Sequence, residues 1–528
     1  MGRPARKARV STRSGNAACY SIPIDFRGVK PRNLFASACR ILVQKMRVVK
    51  NPILPLAVVL TTLVLCGLLT GYRTPLAPVF LLGAGLMGAW TLSKRMYGDL
   101  FSPFCIYLST WLGGLLLFSL RLIDYYPLST PTILLFASSM IAFASGCMLP
   151  ISFQKRRRSP GTTHETSTPP PHRRNVERAL LTVTVLDGAG LVLLPLQYEL
   201  LPSYFSTFFT PGGALFIPID YERLVGNFPL FLVPLEGLYL LCFLLAIYYL
   251  VRFDHPSKLA LVPIASVIFR IVLVPNRAPM VALIFAGCFV YLHVRKPRIS
   301  LRLLGVGLVV LTLAVGYFHF IGARLYKSVM YQEDIYSRDL AVAPQYYWLV
   351  DPYIYATSPF AGFEAMTSHL GTHTYGDQTF YPVIQFMNRV TGSTRTVSFT
   401  SYVFYNVPIP CNVYTYLGQF YTDFGWPGVL FFPFLLGLAS TFCYLRMRKY
   451  GGLSSTLGTA AFNAFFIFSI FTNLFVLVTI WETFFLIFVL GRIVGRTRAP
   501  QRAASSQGTH PARGPAPAWR PNHAVKLE

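Results

Sequence analysis

The chain has 528 residues, of which 53% are hydrophobic and 13% are charged. Soluble globular proteins carry about 25% charged residues, so this composition excludes that class and predicts an all-α protein that crosses a membrane many times. The formal net charge of +27 suggests nucleic acid as a ligand, but the basic residues lie in separate clusters without a recognisable nucleic-acid-binding module. We therefore expect no nucleic-acid partner.

Apolar runs of about 20 residues, long enough to cross a bilayer, recur about twelve times along the chain. Residues 1–50, before the first run, form a basic tail in which we expect no cleavable signal peptide. Spans 1–4 fall within 51–150, spans 5–9 within 179–321 and spans 10–12 within 427–494. The predicted spans are 53–72, 75–93, 103–123, 132–150, 179–196, 229–251, 258–274, 278–294, 302–321, 427–446, 457–475 and 477–494.

The Lys and Arg clusters fall in alternate loops between these spans. Because positive charge favours the cytoplasmic side, this pattern predicts that both termini are cytoplasmic and that 322–426 forms one large external loop. The Ser-, Thr- and Pro-rich stretch 151–178 and the basic tail 495–528 are predicted to be disordered and cytoplasmic. Cys411 is then the single cysteine in the external loop, so no exported disulfide is expected there.

Two arginines are notable in and after the seventh span. Arg270 lies within an apolar run, and an ionisable side chain at membrane depth costs about 2.5–3.5 kcal/mol. We therefore expect Arg270 to face the interior of the bundle and to have a partner. Arg277 lies between two prolines in Val274-Pro275-Asn276-Arg277-Ala278-Pro279, a rigid turn at the outer surface. It either serves a site there or only anchors the end of a helix.

The external loop 322–426 contains no run long enough to span, yet it is rich in Tyr, Phe and Trp. Such side chains either stack on sugar rings or settle at the bilayer surface. Residues 360–370 and 380–390 are predicted to form short amphipathic helices that lie on the membrane. His369 and His373 are four residues apart, but an intervening glycine weakens the helix and no third ligand follows at zinc spacing. No metal site is therefore expected.

The most specific motif closes this loop. Asn412-Val413-Tyr414-Thr415 precedes Asp423-Phe424-Gly425, and both blocks lead into an apolar span that contains Gly437. This arrangement resembles the signature of the bacterial O-antigen polymerases, the oligosaccharide repeat unit polymerases called Wzy, in which the same blocks precede a late transmembrane helix that contains glycine. The turn at Arg277 resembles an arginine turn that precedes a helix in the same family.

The resemblance implies a metal-independent, cofactor-free glycosyltransferase of the GT-C type at the outer face of the bacterial inner membrane. Its substrates would be oligosaccharide repeats on undecaprenyl pyrophosphate, which it joins into a surface polysaccharide. The leaving pyrophosphate gains negative charge that fixed guanidinium groups can stabilise, and a carboxylate or histidine can accept the proton of the acceptor hydroxyl. We expect catalytic roles for Arg277, His373, Asp377 and Asp423, and substrate-binding roles for Arg270, Arg324, Arg389, Arg395, Asn412, Tyr414 and Thr415.

Several of these roles have a structural alternative. Asp423 stands just before span ten and can cap the first amides of that helix. Asn412 and Thr415 can cap and orient the loop instead of binding sugar. Glu364 is a further candidate base, ranked after Asp377 and His373.

Two further functions stay open at this level. A ligase that transfers finished O-antigen to the lipid A core shares the architecture. A flippase or another transporter belongs to a different class, in which internal repeats and polar residues near the membrane midplane are usual, and the sequence contains no convincing repeat. The expected partners are the lipid-linked oligosaccharides, the lipid bilayer, a chain-length regulator and a flippase.

Overall fold

The structure, a computed structural model, describes only part of the chain. Two units separate by their internal contacts, Met1–Pro55 and Leu56–Glu528, and every described residue belongs to the second. The predicted span 53–72, most of 302–321 and nearly all of both tails lie outside the described residues. The described residues are 76–157, 171–198, 233–273, 277–297, 300–301, 305–309, 312, 316, 350–393, 395, 397, 403–407 and 410–495.

The described part of the chain is mostly helical, as its composition predicts. Its helices are α1 (Leu76–Tyr97), α2 (Pro103–Ser119), α3 (Thr130–Arg157), α4 (Arg173–Tyr198), α5 (Val233–Arg252), α6 (Leu261–Leu273), α7 (Arg277–Arg295), α8 (Val350–His369), α9 (Tyr381–Thr391), α10 (Leu417–Tyr450), α11 (Leu453–Phe468) and α12 (Val478–Gly495). Short 3₁₀ turns occur at Lys258–Ala260 and Leu474–Val476. The strands β1 (Tyr405–Asn406) and β2 (Pro410–Cys411) pair antiparallel, with Tyr405 opposite Cys411.

Several helix ends differ from the predicted spans. The span predicted at 103–123 ends at Ser119, because Arg121 takes a left-handed φ of 48° and the chain turns there. The span predicted at 457–475 ends at Phe468, where the Ser469 carbonyl accepts a hydrogen bond from Tyr416 N–H (2.8 Å) outside its own helix.

The structure also differs from the prediction at the linker 151–178 and at the tenth span. Helix α3 continues to Arg157 and α4 already begins at Arg173, so both enter the stretch 151–178 that was predicted to be disordered. Helix α10 begins at Leu417, ten residues before the predicted span 427–446, because a helical segment precedes a kink in it.

Helices α3 and α10 pack closely along their length. A Cβ at Gly146 would lie 2.1 Å from the Phe434 carbonyl oxygen, and a Cβ at Gly437 would lie 2.3 Å from the Phe143 carbonyl oxygen. Small residues at such positions let two helix backbones approach. Within the part of the chain that the structure describes, Thr130–Phe153 and α10 are the helical stretches long and apolar enough to cross a membrane by length and composition.

One end of the bundle joins the α1–α2 loop to the last turns of α10. Arg448 Nη1 donates hydrogen bonds to the Tyr97 carbonyl (3.0 Å) and to Asp99 Oδ2 (2.7 Å). The Tyr444 hydroxyl donates to the same carboxylate oxygen. The basic clusters at the end of α1 and the end of α10 are thereby brought together.

Helices α5, α7 and α11 reach this same end. Asn463 Nδ2 on α11 donates to the Phe101 carbonyl (2.9 Å) and to His293 Nε2 on α7 (3.1 Å). Two residues after His293, Arg295 Nη1 lies 3.9 Å from Asp254 Oδ1 in the α5–α6 loop. Loops that carry basic clusters therefore meet at one end of the bundle.

Helix α8 packs against the opposite ends of α2 and α3. The Tyr353 hydroxyl donates to the Leu117 carbonyl (3.1 Å), and the Tyr125 and Thr357 hydroxyls lie 3.0 Å apart. Phe360 on α8 is completely buried and meets the Trp111 ring edge to face. The prediction that 360–370 lies on the membrane surface is therefore wrong, because this helix buries its aromatic side chains inside the bundle.

Candidate functional site

The site begins at a kink in α10. Gly425 has φ 62° and ψ −141°, which are non-helical values. Pro427 has no N–H, so the Asp423 carbonyl loses the donor that a regular helix would supply four residues later. Tyr375 N–H, from a separate loop, donates to that carbonyl instead (3.2 Å). A loop therefore completes the hydrogen bonding of the kinked helix.

Residues His373–Phe380 form this loop, and we call them the anchored turn. The Asp423 carboxylate accepts hydrogen bonds from the Thr374 hydroxyl, from Gln378 N–H (3.1 Å) and from Thr379 N–H (2.6 Å). Hydrogen bonds to a charged acceptor are stronger than bonds between neutral groups. The carboxylate therefore holds both ends of the anchored turn against α10.

Asp423 is thus placed as an anchor. Its side chain is 0% exposed, and the amides that it caps belong to the anchored turn rather than to the first turn of α10. The capping alternative holds in this changed form. In this conformation Asp423 presents no atom to a substrate hydroxyl, so its predicted catalytic role has no geometric support.

His373 is exposed beside the kink and has a defined orientation. Nδ1 lies 3.2 Å from the Thr422 carbonyl, a group that only accepts, so Nδ1 carries the proton of the neutral ring and Nε2 carries the lone pair. A Cβ at Gly425 would lie 3.1 Å from Nε2, so the absence of a side chain at Gly425 leaves room for the imidazole. This geometry suits a general base.

Asp377 and Arg395 form an ion pair on the outer side of the anchored turn. Arg395 Nη2 donates to Asp377 Oδ1, and the two side chains are 59% and 28% exposed. Asn388 Nδ2, on α9, donates to the Arg395 carbonyl (2.7 Å) and fixes the returning chain. A guanidinium and a carboxylate predicted from separate parts of the loop therefore lie together beside the turn that carries His373.

Helix α9 follows the anchored turn and has an apolar stripe on its outer face. Val383, Phe386, Met387 and Val390 are all exposed, and their spacing places them on one face of the helix. The stripe is the reverse of the pattern in a soluble protein, where such residues face the core. The prediction that 380–390 forms an amphipathic helix is confirmed, whereas its position on the membrane stays a prediction.

The Asn412–Thr415 block lies against α8. A Cβ at Gly362 would lie 2.8 Å from the Val413 carbonyl oxygen, so the helix and the block are in close contact. Tyr414 is buried, and its hydroxyl donates to the Val403 carbonyl. Thr415 is also buried, whereas Asn412 is half-buried. The block therefore positions the loop, and Asn412 is its polar side chain that still reaches the surface.

Burial governs the titration of two groups in this region. Desolvation raises the pKa of the Tyr414 hydroxyl above its ordinary value, so this group stays a neutral donor. Burial also raises the pKa of the Cys411 thiol, which lies 3.2 Å from the Val413 carbonyl oxygen. Neither group is suited to act as a nucleophile or a base.

Glu364 has a structural partner. Its Oε2 accepts hydrogen bonds from the Ser129 N–H and the Ser129 hydroxyl, both at 2.9 Å, directly before α3. A carboxylate at the N-terminus of a helix is stabilised by the helix dipole. Glu364 therefore caps α3, which weakens its case as a base.

The remaining predicted site residues are placed by the backbone alone or fall outside the described residues. Arg277 is the first residue of α7, Arg270 lies in the last turn of α6, and Arg389 lies in α9. Arg324 lies outside the described residues. The joint action of these four arginines at a pyrophosphate stays a prediction.

Sequence reasoning missed two exposed residues at this end of the bundle. Arg121 was assigned to a span, yet it follows the end of α2 as an exposed residue. Tyr375 was grouped with the other aromatic residues, yet its ring is 84% exposed and its φ is 50°. The acidic and proline residues after Arg121 signal the early end of the helix, whereas no local signal reveals the backbone conformation of Tyr375.

Neither a metal cluster in the described part of the chain nor a similar protein accompanies this site. Among the described residues, no group of three or more His, Cys, Asp or Glu side chains is arranged to hold a metal ion. No family model, no curated protein and no solved structure matches the chain. The resemblance of the Asn412–Thr415 and Asp423–Gly425 blocks to the O-antigen polymerases therefore stays a prediction.

Proposed function

We propose that this protein is a multi-pass membrane glycosyltransferase of the bacterial inner membrane that polymerises lipid-linked oligosaccharide repeats at its outer face. The observation that carries the proposal is the combination at the anchored turn: an oriented histidine and an exposed Arg–Asp pair on a rigid turn, followed by a helix with an outward apolar stripe. The motif in the Asn412–Gly425 region supplies the reaction class.

The distribution of apolar side chains supports a membrane location. Large hydrophobic residues are exposed on the outer faces of the helices, as at Phe80, Leu186, Phe442 and Phe485, whereas Ser, Thr and Asn side chains are buried between helices. Lipid-facing helices favour this arrangement because lipid tails are as apolar as the side chains that meet them.

The two ends of the bundle support the topology. Loops with basic clusters meet at the end that contains Asp99 and Arg448, which the positive-inside rule assigns to the cytoplasm. Helix α8 and the anchored turn lie toward the opposite ends of these helices, which then face outward. We propose that the candidate site is external and, from the basic clusters in the sequence, that both termini are cytoplasmic.

The chemistry assigns a separate role to each group. His373 Nε2 accepts the proton of the acceptor hydroxyl as the oxygen attacks the anomeric carbon of the growing chain. The bond from that carbon to the pyrophosphate oxygen breaks, and undecaprenyl pyrophosphate leaves with the electron pair. Arg395 stabilises the developing charge, exchanging Asp377 for phosphate oxygens. Arg270, Arg277, Arg324 and Arg389 are the further candidate cations.

The resting ion pair is compatible with this exchange. An exposed Arg–carboxylate pair contributes about 0–1 kcal/mol, so a pyrophosphate with more negative charge can displace the carboxylate at small cost. Once it is displaced, Asp377 becomes a second acceptor for the proton. No metal ion or cofactor enters this scheme.

Deletion of the gene tests the proposal, with the lipid-attached surface glycan sized on a gel. A polymerase predicts molecules that carry a single repeat and no ladder. Unaltered long chains retained on undecaprenyl pyrophosphate would identify a ligase, and repeats trapped on the cytoplasmic side would identify a flippase. Activity of the purified protein in EDTA tests the mechanism, since a requirement for a divalent ion would contradict it.

A further inference from the structure

Tyr375 combines two features that are unfavourable in isolation. Its backbone has a φ of 50°, a left-handed conformation that bulky residues rarely adopt, and its side chain is 84% exposed. Glycine or asparagine would take the same backbone conformation more easily. A tyrosine at this position therefore costs conformational free energy, and a function of its ring would explain why it is there.

The backbone contact of Tyr375 does not explain the side chain. Tyr375 N–H donates to the Asp423 carbonyl (3.2 Å), and any residue except proline would supply this donor. Gly376, with φ 109°, and the buried Asp423 carboxylate fix the turn on the other side. The ring therefore projects from a turn whose conformation does not depend on it.

Polar side chains flank Tyr375 along the turn. His373 is exposed two residues before Tyr375, and the Asp377–Arg395 pair begins two residues after it. A sugar ring offers an apolar face of C–H groups and a rim of hydroxyls, so an aromatic face beside hydrogen-bonding side chains matches both. The apolar stripe that suits a bilayer lies beyond the turn, on α9.

We propose that Tyr375 is a stacking platform for one pyranose ring of the glycan, next to the reacting groups. This inference rests on the proposed function and extends it by assigning a sugar subsite to the anchored turn. Tyr375 binds and orients the sugar and takes no part in the proton transfer.

The kinetics of the full-length protein in nanodiscs distinguish the effect of the Tyr375 ring from the effect of its backbone strain. The lipid-linked repeat is the substrate. Stacking contacts predict that Tyr375→Ala raises KM about three- to tenfold and leaves kcat within about twofold. Tyr375→Phe and Tyr375→Trp keep a ring and should stay near the unsubstituted protein. Tyr375→Gly removes the ring and the backbone strain together, so it should match Tyr375→Ala. An unchanged KM in both ring-deleted variants would overturn the proposal.

A matched control tests whether any exposed ring would act alike. Phe404 is 61% exposed and lies outside the anchored turn, so Phe404→Ala should leave KM unchanged. An equal rise in KM for Phe404→Ala would contradict a specific subsite at Tyr375.

Direct binding distinguishes this inference from the proposed function. The probe is the oligosaccharide released by mild acid from the lipid-linked repeat, and saturation-transfer NMR should detect its binding to the unsubstituted protein and a weaker signal with Tyr375→Ala. If the protein makes no polymer, the proposed function fails, and this assay still tests the subsite. If polymer forms but binding and KM are unaffected by ring deletion, the subsite alone fails.

The bilayer is the competing environment for the ring. In nanodiscs made with brominated lipids, Tyr375→Trp should show no more fluorescence quenching than the unsubstituted protein. Added quenching would place the ring in lipid and overturn the proposal.

Discussion

Asp377 belongs to the anchored turn and Asp423 contacts it from α10, yet the two carboxylates differ sharply in burial. Asp423 is fully buried and accepts three hydrogen bonds, whereas Asp377 is partly exposed and pairs with an arginine that is itself exposed. The buried carboxylate determines where the turn lies, and the exposed one is accessible to a ligand. The comparison separates a carboxylate that stabilises the anchored turn from a carboxylate that can take part in chemistry.

The largest expected effect comes from removing the buried carboxylate. Asp423→Ala leaves the Thr374 hydroxyl and two amides without their acceptor, so the free energy of unfolding should fall by about 3–5 kcal/mol. Thermal unfolding of the purified protein in detergent measures this loss. Asp377→Ala is the control, and an equal fall in Tm for both variants would remove the distinction between the two carboxylates.

The kink is the next feature to test. Gly425→Ala forces a side chain into φ 62° and ψ −141°, a region nearly restricted to glycine that costs about 1–3 kcal/mol, and places a Cβ against the His373 ring. Gly451→Ala, at φ 61° and ψ 20° with nothing within 4 Å, imposes a milder left-handed strain of about 1–2 kcal/mol. Gly425→Ala should therefore lose more stability, and only Gly425→Ala should lose polymer formation. Equal activity in the two variants would argue against His373 as the base.

The Asp377–Arg395 ion pair should contribute to the rate of the reaction and little to the stability of the fold. Arg395→Ala is expected to lower kcat by tenfold or more, roughly the loss of one charged contact to the leaving group, while Tm changes by less than about 2 °C. Arg395→Lys keeps the charge but not the planar fork, so it should recover activity only in part. Full activity of Arg395→Ala would exclude Arg395 from the site.

The smallest expected effect concerns the reactivity of Cys411, which is buried like Asp423. Because burial raises its pKa, the folded protein keeps the neutral thiol, and an impermeant maleimide should react slowly even at pH 8. The contribution of this group to stability is present below the thiol pKa of the unfolded chain and declines as the pH rises above it. Asn406→Cys creates a thiol at an exposed position, which should react quickly. Equal rates at both positions would contradict the burial of Cys411.

The helical character of the described residues follows from the sequence because a long run of apolar residues predicts a helix without knowledge of its neighbours. The twelve membrane spans stay a prediction, since two of the described helices are long and apolar enough to cross a membrane. The ends were harder to predict. The helix that ends at Ser119 stops because of the nearby left-handed Arg121. The end at Phe468 is accompanied by a hydrogen bond from the distant Tyr416, and α10 starts early because a loop completes the hydrogen bonding at the Gly425 kink.

The sequence predicts the candidate site at the level of residue types. His373 and Asp377 are candidates because an imidazole or a carboxylate can accept a proton, and Arg395 is a candidate because a guanidinium can stabilise a leaving pyrophosphate. The sequence gives Asp423 a capping alternative, but it does not reveal that this carboxylate is buried against the anchored turn while the carboxylate of Asp377 is partly exposed. Tyr375 was missed for a related reason, since exposure and a left-handed φ are properties of the folded turn.

The partners of the anchored turn also set the order in which this region can form. Thr374 and Asp423 are 49 residues apart, and the Asp423 carbonyl needs its external donor because Pro427 follows. At about 5–20 residues per second, the ribosome adds the missing partners several seconds after the turn itself. The turn is therefore synthesised before the helix that anchors it, and it can reach its final conformation only once α10 has formed.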